Sequence, residues 1–140
     1  MMIIIMKSSD RQQGRGIATR ERLVEAASKR FRSTGFAGTT IPSVMREIGM
    51  THGGFYNHFG SKEDLFAAAV GHAATESGDW LEAQVEGLTG AAWVDRWVDL
   101  YVGVGHCRNL ETGCPIPLLL PEVAREGESA CRAFESALNR

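Results

Sequence analysis

The sequence predicts an all-α protein, on three observations. Apolar residues recur at intervals of three and four, as Leu23, Ala27 and Phe31 do, and again Trp93, Trp97, Leu100 and Val104; that spacing lines one face of a helix. Helix-starting and helix-stopping residues bracket these stretches in the right order. No run alternates apolar with polar residues as a half-buried strand would. At 140 residues and 44% hydrophobic content, the chain is sized for one compact unit, or for a small domain with part of another.

The opening MMIIIMK has an apolar run too short for a signal-peptide core, and no small-residue cleavage pattern comes after it. No stretch approaches the roughly 20 apolar residues that span a bilayer. A cytoplasmic protein with no membrane partner is expected. Met1 and Met6 are both candidate starts. Met6 fits because MKSSDRQQGRG has the polar, basic character of a disordered arm while the five residues before it have no evident role, and residues 1–16 are expected to be a flexible arm. A first helix is predicted from about Thr19 to Ser33, ended by Gly35, with Phe36 packing after the turn.

From Thr39 to Lys62 the chain reads TTIPSVMREIGMTHGGFYNHFGSK. Thr40 is a good N-cap, and Pro42 falls in the first turn, where its missing N–H costs nothing. That helix should run to about Ile48. Gly49 supplies a left-handed residue at its end, Met50 plugs the corner, and Thr51 caps a second helix that starts at His52. Two helices around a tight turn, over about residues 40–59, make a helix-turn-helix. At 100° per residue Phe55 and Phe59 face inward, Gly53, Gly54 and Asn57 face away, and His52, Tyr56 and His58 lie on the flanks. Spacing alone also fits a small bundle in which a glycine turn joins two core helices.

Ser61 caps the next helix, with Asp64 three residues on approximating a capping box, and Leu65, Phe66, Ala69 and Val70 continue it. Breaks are expected at Ser77-Gly78 and from Gly87 to Gly90, with a short helix between them. A longer helix should run from Ala91 to about Cys107. The Thr112-Gly113 turn and Pro115 then lead into the apolar stretch Ile116 to Val123, with an amphipathic helix from Ser129 onward.

Charge divides the chain in two. From Lys7 to Lys62 there are ten Lys and Arg against four Asp and Glu, a balance of +6; from Glu63 onward there are five against thirteen, −8; together these give the net −2. A pI near 6.1 thus hides a basic half, the one able to neutralise DNA phosphates and release counterions.

The stretch GGFYNHFGSKEDLF, Gly53 to Phe66, closely resembles the signature of the TetR family of bacterial transcriptional regulators. The likeness extends upstream through TRERLVEAASKRFRSTGFAGTTIPSV and downstream to about Val70. It implies a three-helix DNA-binding domain over residues 17–77, then a helical ligand-binding and dimerisation domain over residues 78–140. The function implied is that of a repressor, a homodimer on double-stranded operator DNA, released by a small apolar effector and needing no cofactor. Repression rather than activation rests on the resemblance alone. Family members generally run longer than this sequence, so the resemblance also implies a shortened dimer surface.

Each candidate DNA contact has a physical role. Lys62, beside the unpaired N–H groups of a helix start, forms an anion site, and the resemblance assigns this lysine to phosphate as well. Tyr56 and His58 stand where the family's phenol and imidazole bond phosphate. Thr40 and Thr51 offer hydroxyls and N–H groups at two helix starts, and Arg20 is an outer clamp. His52 and Asn57 are the expected base readers, Asn for adenine and His for guanine, while Gly53 and Gly54 let the backbone come close. Adjacent glycines cost a helix about 1 kcal/mol each relative to alanine. Gly54 departs from the family pattern, as do Met45 and Ile48, whose bulk is expected to shift the recognition helix. The alternative reading is a helical protein-interaction module with weak or no DNA binding.

In the second half, Trp93, Trp97, Tyr101, Cys107 and Leu118 are candidates to line an apolar ligand pocket, with plain core packing as the competing reading. HCRNLETGC, His106 to Cys114, is similar to a pattern in a subgroup of the family. Cys107, Cys114 and Cys131 lack CxxC spacing, so no metal site is expected, and such cysteines normally stay reduced. Enzymatic function finds no support: HExxH, GxSxG and a phosphate loop are missing, and Gly103-Val-Gly105 fails as GxGxxG because Arg108 takes the last position.

Overall fold

A computed structural model describes residues 8–139, for residues 8–12 and Cys107 as backbone alone. The candidate starts, Met1 and Met6, lie outside the described residues. Helix accounts for 82% of the structure, and no strand occurs among the described residues, in keeping with the all-α expectation. Among the described residues, seven α-helices succeed one another: α1 (Ser8–Gly38), α2 (Ile41–Glu47), α3 (Lys62–Val85), α4 (Gly90–Val102), α5 (Val104–Arg108), α6 (Pro115–Glu126) and α7 (Glu128–Leu138), with a 3₁₀ segment at His52–Asn57 between α2 and α3.

Helix α1 already includes Ser8, the first described residue, well before Thr19, so residues 8–16 are helical where a flexible arm was expected. Gly35 breaks it as foreseen, with φ 72° and ψ 176°, and a further turn lies beyond the kink. Leu23, Ala27 and Phe31 are fully buried. Phe31 and Phe36 each meet Phe66 of α3 edge to face, at centroid distances of 4.9 and 5.1 Å. This aromatic triad ties α1 to α3.

A single helix, α3, runs from Lys62 to Val85 without the expected break at Ser77-Gly78. A glycine inside a helix costs about 1 kcal/mol, and the packing of α3 between α1, α6 and α7 outweighs that. Ala69, Val70, Ala73 and Ala74 are buried in it; α3 packs on α7, whose Ala130 and Phe134 are buried as well. The break expected around Gly87 is present, with Gly87 at φ 75°.

The helix predicted from Ala91 to Cys107 is two, α4 and α5, because Gly103 adopts extended backbone. A β-carbon at Gly103 would stand 2.6 Å from the Asp99 carbonyl oxygen. Pro115 starts α6, and Gly127, at φ 98°, turns the chain into α7. In α4 no residue is buried; Trp93, Val94, Val98 and Val102 are exposed.

Candidate nucleic-acid interface

Local chemistry builds the helix-turn-helix. At the start of α2 the Thr40 hydroxyl accepts the Ser43 N–H and the Ser43 hydroxyl oxygen accepts the Thr40 N–H, both at 3.3 Å, a reciprocal capping box. At the end of α2 Gly49 has φ 73°, its N–H bonds the Arg46 carbonyl at 3.1 Å, and the Met50 N–H bonds the Met45 carbonyl at 2.9 Å. This double closure satisfies two orphan carbonyls and sets the corner. A third, that of Ile48, accepts from Arg22 Nη2 of α1 at 3.0 Å. Arg22 therefore pins the corner to α1, and the sequence gives no sign of it, because the two residues are far apart along the chain.

The expected recognition helix is a 3₁₀ segment. Glycines at 53 and 54 give little intrinsic preference for a regular α-helix, and the tighter winding is common in such short pieces. Thr51 stands at its N-terminus without the side-chain cap bond that was expected. Phe55 and Phe59 face inward and are buried as foreseen. The Phe59 N–H reaches the Phe55 carbonyl at 3.1 Å, so the segment regains α-type bonding at its end.

Gly54 does not face away. A β-carbon there would meet the methyl carbons of Met50 at 3.2 Å and Met45 at 3.6 Å. Two of the three departures from the family pattern thus fit one another: Met45, 1% exposed, fills space that a larger residue at 54 would take. Met45 does not simply displace the recognition segment by its bulk; it packs where Gly54 leaves room.

His52, Gly53, Tyr56 and Asn57 are exposed on the outer side, and His58 is half-buried. The His52 and Tyr56 rings meet edge to face at 5.8 Å, and Tyr56, 59% exposed, leans on Phe55 at 5.2 Å. Arg20 lays its guanidinium over the Phe59 ring, 4.6 Å from the centroid, so α1 places this cation at the end of the segment. Thr40 and Thr51 are exposed. With its oxygen accepting in the cap, the Thr40 hydroxyl keeps its proton to donate outward.

Lys62 is the first residue of α3, but its neighbours differ from those expected. Its Nζ lies 4.1 Å from the centroid of the Phe36 ring, and the Ser61 hydroxyl already takes the Asp64 N–H at 3.0 Å. Glu63 and Asp64 add negative charge to the same turn. The lysine, half-buried, is held by a ring.

Two of the second-half candidates, Trp97 and Tyr101, are in direct contact. Trp97 stacks on Tyr101 at 4.8 Å, and Tyr101 meets His106 at 4.5 Å. Burial, and next the adjoining Cys114 thiol, raise the Tyr101 phenol above its ordinary value. Trp93 is 40% exposed, and Leu118 packs half-buried on the main core; the Cys107 side chain lies outside the described residues. An open groove between α6 and α7, lined by Leu120, Val123, Cys131, Phe134 and Leu138, includes none of these candidates.

The family described as "Bacterial regulatory proteins, tetR family" matches residues 23–69. Over 50 residues the chain is 42% identical to a Bacillus subtilis (strain 168) protein named "Uncharacterized HTH-type transcriptional regulator YerO", covering 36% of this chain and 17% of that protein. It is 31% identical over 70 residues to the HTH-type transcriptional regulator HbdR of Aromatoleum sp. (strain CIB), covering 50% and 31% respectively. Similarity to the HTH-type transcriptional regulator LmrA of Bacillus subtilis (strain 168) is 27% over 124 residues, 85% of this chain and 64% of that one. The chain thus spans less than two thirds of each of these relatives.

Proposed function

We propose, from the match of residues 23–69 to the tetR family of bacterial regulatory proteins, that the chain is a DNA-binding transcriptional regulator of that family. One observation carries the reading. A segment with His52, Gly53, Tyr56 and Asn57 exposed stands on a closed helix-turn-helix corner in the basic half of the chain. In the major groove His52 and Asn57 read base edges. Arg20, Thr40, Thr51, Tyr56, His58 and Lys62 hold phosphates on either side, and Gly53 lets the backbone approach.

The finer parts of the proposal are a cytoplasmic repressor, a reading head over residues 17–77, and a sensing and pairing part over residues 78–140 that answers a small apolar effector. Pairing of two copies suits a reader of two half-sites. The exposed apolar face of α4, with Val94, Val98 and Val102, offers a surface for it.

Fluorescence anisotropy with labelled duplex DNA from the region upstream of the chain's own gene tests this, with sedimentation equilibrium alongside. Binding that weakens steeply with salt and tightens on one palindromic sequence is expected. Binding that ignores salt would overturn the DNA reading and favour a protein-interaction module. A monomer both free and on DNA would remove the pairing.

A further inference from the structure

Helix α6 reaches across to the reading head through one side chain. Glu122 Oε2 accepts the backbone N–H of Phe36 at 2.9 Å. Its other oxygen occupies the space where a β-carbon on Gly35 would be, 2.7 Å from that position. The kink at Gly35, with φ 72°, is thus open to the carboxylate because glycine has no side chain there. Beyond the kink lies the connector to α2. Thr39, buried, donates its hydroxyl to the Gly35 carbonyl at 2.9 Å, and Thr40 opens α2. Phe36 carries Lys62 on its ring. Two of the proposed phosphate contacts, Thr40 and Lys62, therefore depend on a connector whose first amide is bonded to α6.

A buried cation holds the other end of α6. Arg32, 3% exposed, donates to the Gly113 carbonyl at 3.1 Å, two residues before α6 begins, and pairs with Glu76 of α3 at 2.7 Å. With α6 fixed at its N-terminal approach, Glu122 meets the kink at a set height.

We propose that Glu122 is a positioning residue for DNA binding: its carboxylate, bonded to the Phe36 amide at the Gly35 kink, sets the connector that places Lys62 and Thr40 against phosphates. The proposal rests on the DNA-binding reading above. Glu122 touches no DNA itself, and its negative charge would disfavour phosphate at close range. Its effect on binding runs through geometry.

The test is the slope of log Kd against log salt for a fluorescein-labelled duplex of mixed sequence, measured on wild type, Glu122→Ala, Glu122→Gln, Lys62→Met and the Ala/Met double variant. Each lost phosphate contact lowers the slope by about one. Glu122→Ala and Lys62→Met should each lower it by about that much, and the double variant by no more than one of them. Glu122→Gln keeps an oxygen for the Phe36 amide and should restore the wild-type slope. If Glu122→Ala does not fold, Glu122→Asp, whose shorter arm withdraws the carboxylate, takes its place beside Glu122→Gln. A wild-type slope in the folded Ala or Asp variant, or additive losses in the double variant, overturns the positioning role alone. Wild type with no salt-dependent binding overturns the DNA reading and this proposal together.

Discussion

Among single residues, Gly53 and Gly54 look alike in sequence and differ in space. Gly54 is enclosed by two methionine side chains, whereas nothing lies within 4 Å of a β-carbon built on Gly53, and Gly53 lacks the positive φ that would strain one. Gly53→Ala should therefore stabilise the fold by about 0.5–1 kcal/mol through the unfolded chain's lost freedom, read as a higher urea midpoint. It should weaken DNA binding, because the new methyl group projects from the outer side; unchanged affinity would remove the close-approach role. Tyr101 offers a pH test. Its folded-state proton affinity is raised, so the stability it contributes is complete below its ordinary value of 10.0 and is lost as pH rises past that point. Tyr101→Phe keeps the stack on Trp97 and should flatten the fall in urea stability at alkaline pH.

Among elements, α2 shows what local signals can settle. Thr40, Pro42, Gly49 and Met50 each act within a turn of their own position, so cap, start and corner were legible in the sequence. Thr40→Ala should cost about 1 kcal/mol, seen in thermal melts, and should weaken DNA binding beyond that loss. The fit of Met45 under Gly54 was not legible, because it depends on how α2 and the segment stack. The continuity of α3 was hidden for the same reason. Ser77-Gly78 reads as a break locally, and α7 lies about fifty residues further on. Burial of Phe55 and Phe59 was legible, since their spacing of four needs no knowledge of the partner surface. The outward exposure of His52, Gly53, Tyr56 and Asn57 could be read in outline. That Arg20 and Lys62 rest on Phe59 and Phe36 required the folded chain.

At the scale of the whole molecule, the two halves share a buried cation and a helix. Glu76→Ala would leave the Arg32 charge buried with carbonyl partners only, and should cost about 2 kcal/mol, measured by urea unfolding. A smaller loss would mean that water replaces the carboxylate. The shared helix is also a mechanical part. At 1.5 Å per residue, the 24 residues of α3 form a rod of ~36 Å, so a tilt of ~4° about its Val85 end would sweep Lys62 through ~2.5 Å. Hydrogen bonds fail over a shorter distance than that. With no joint along its length, the rod acts as a lever arm that would magnify a small displacement among the C-terminal helices at the end that carries Lys62.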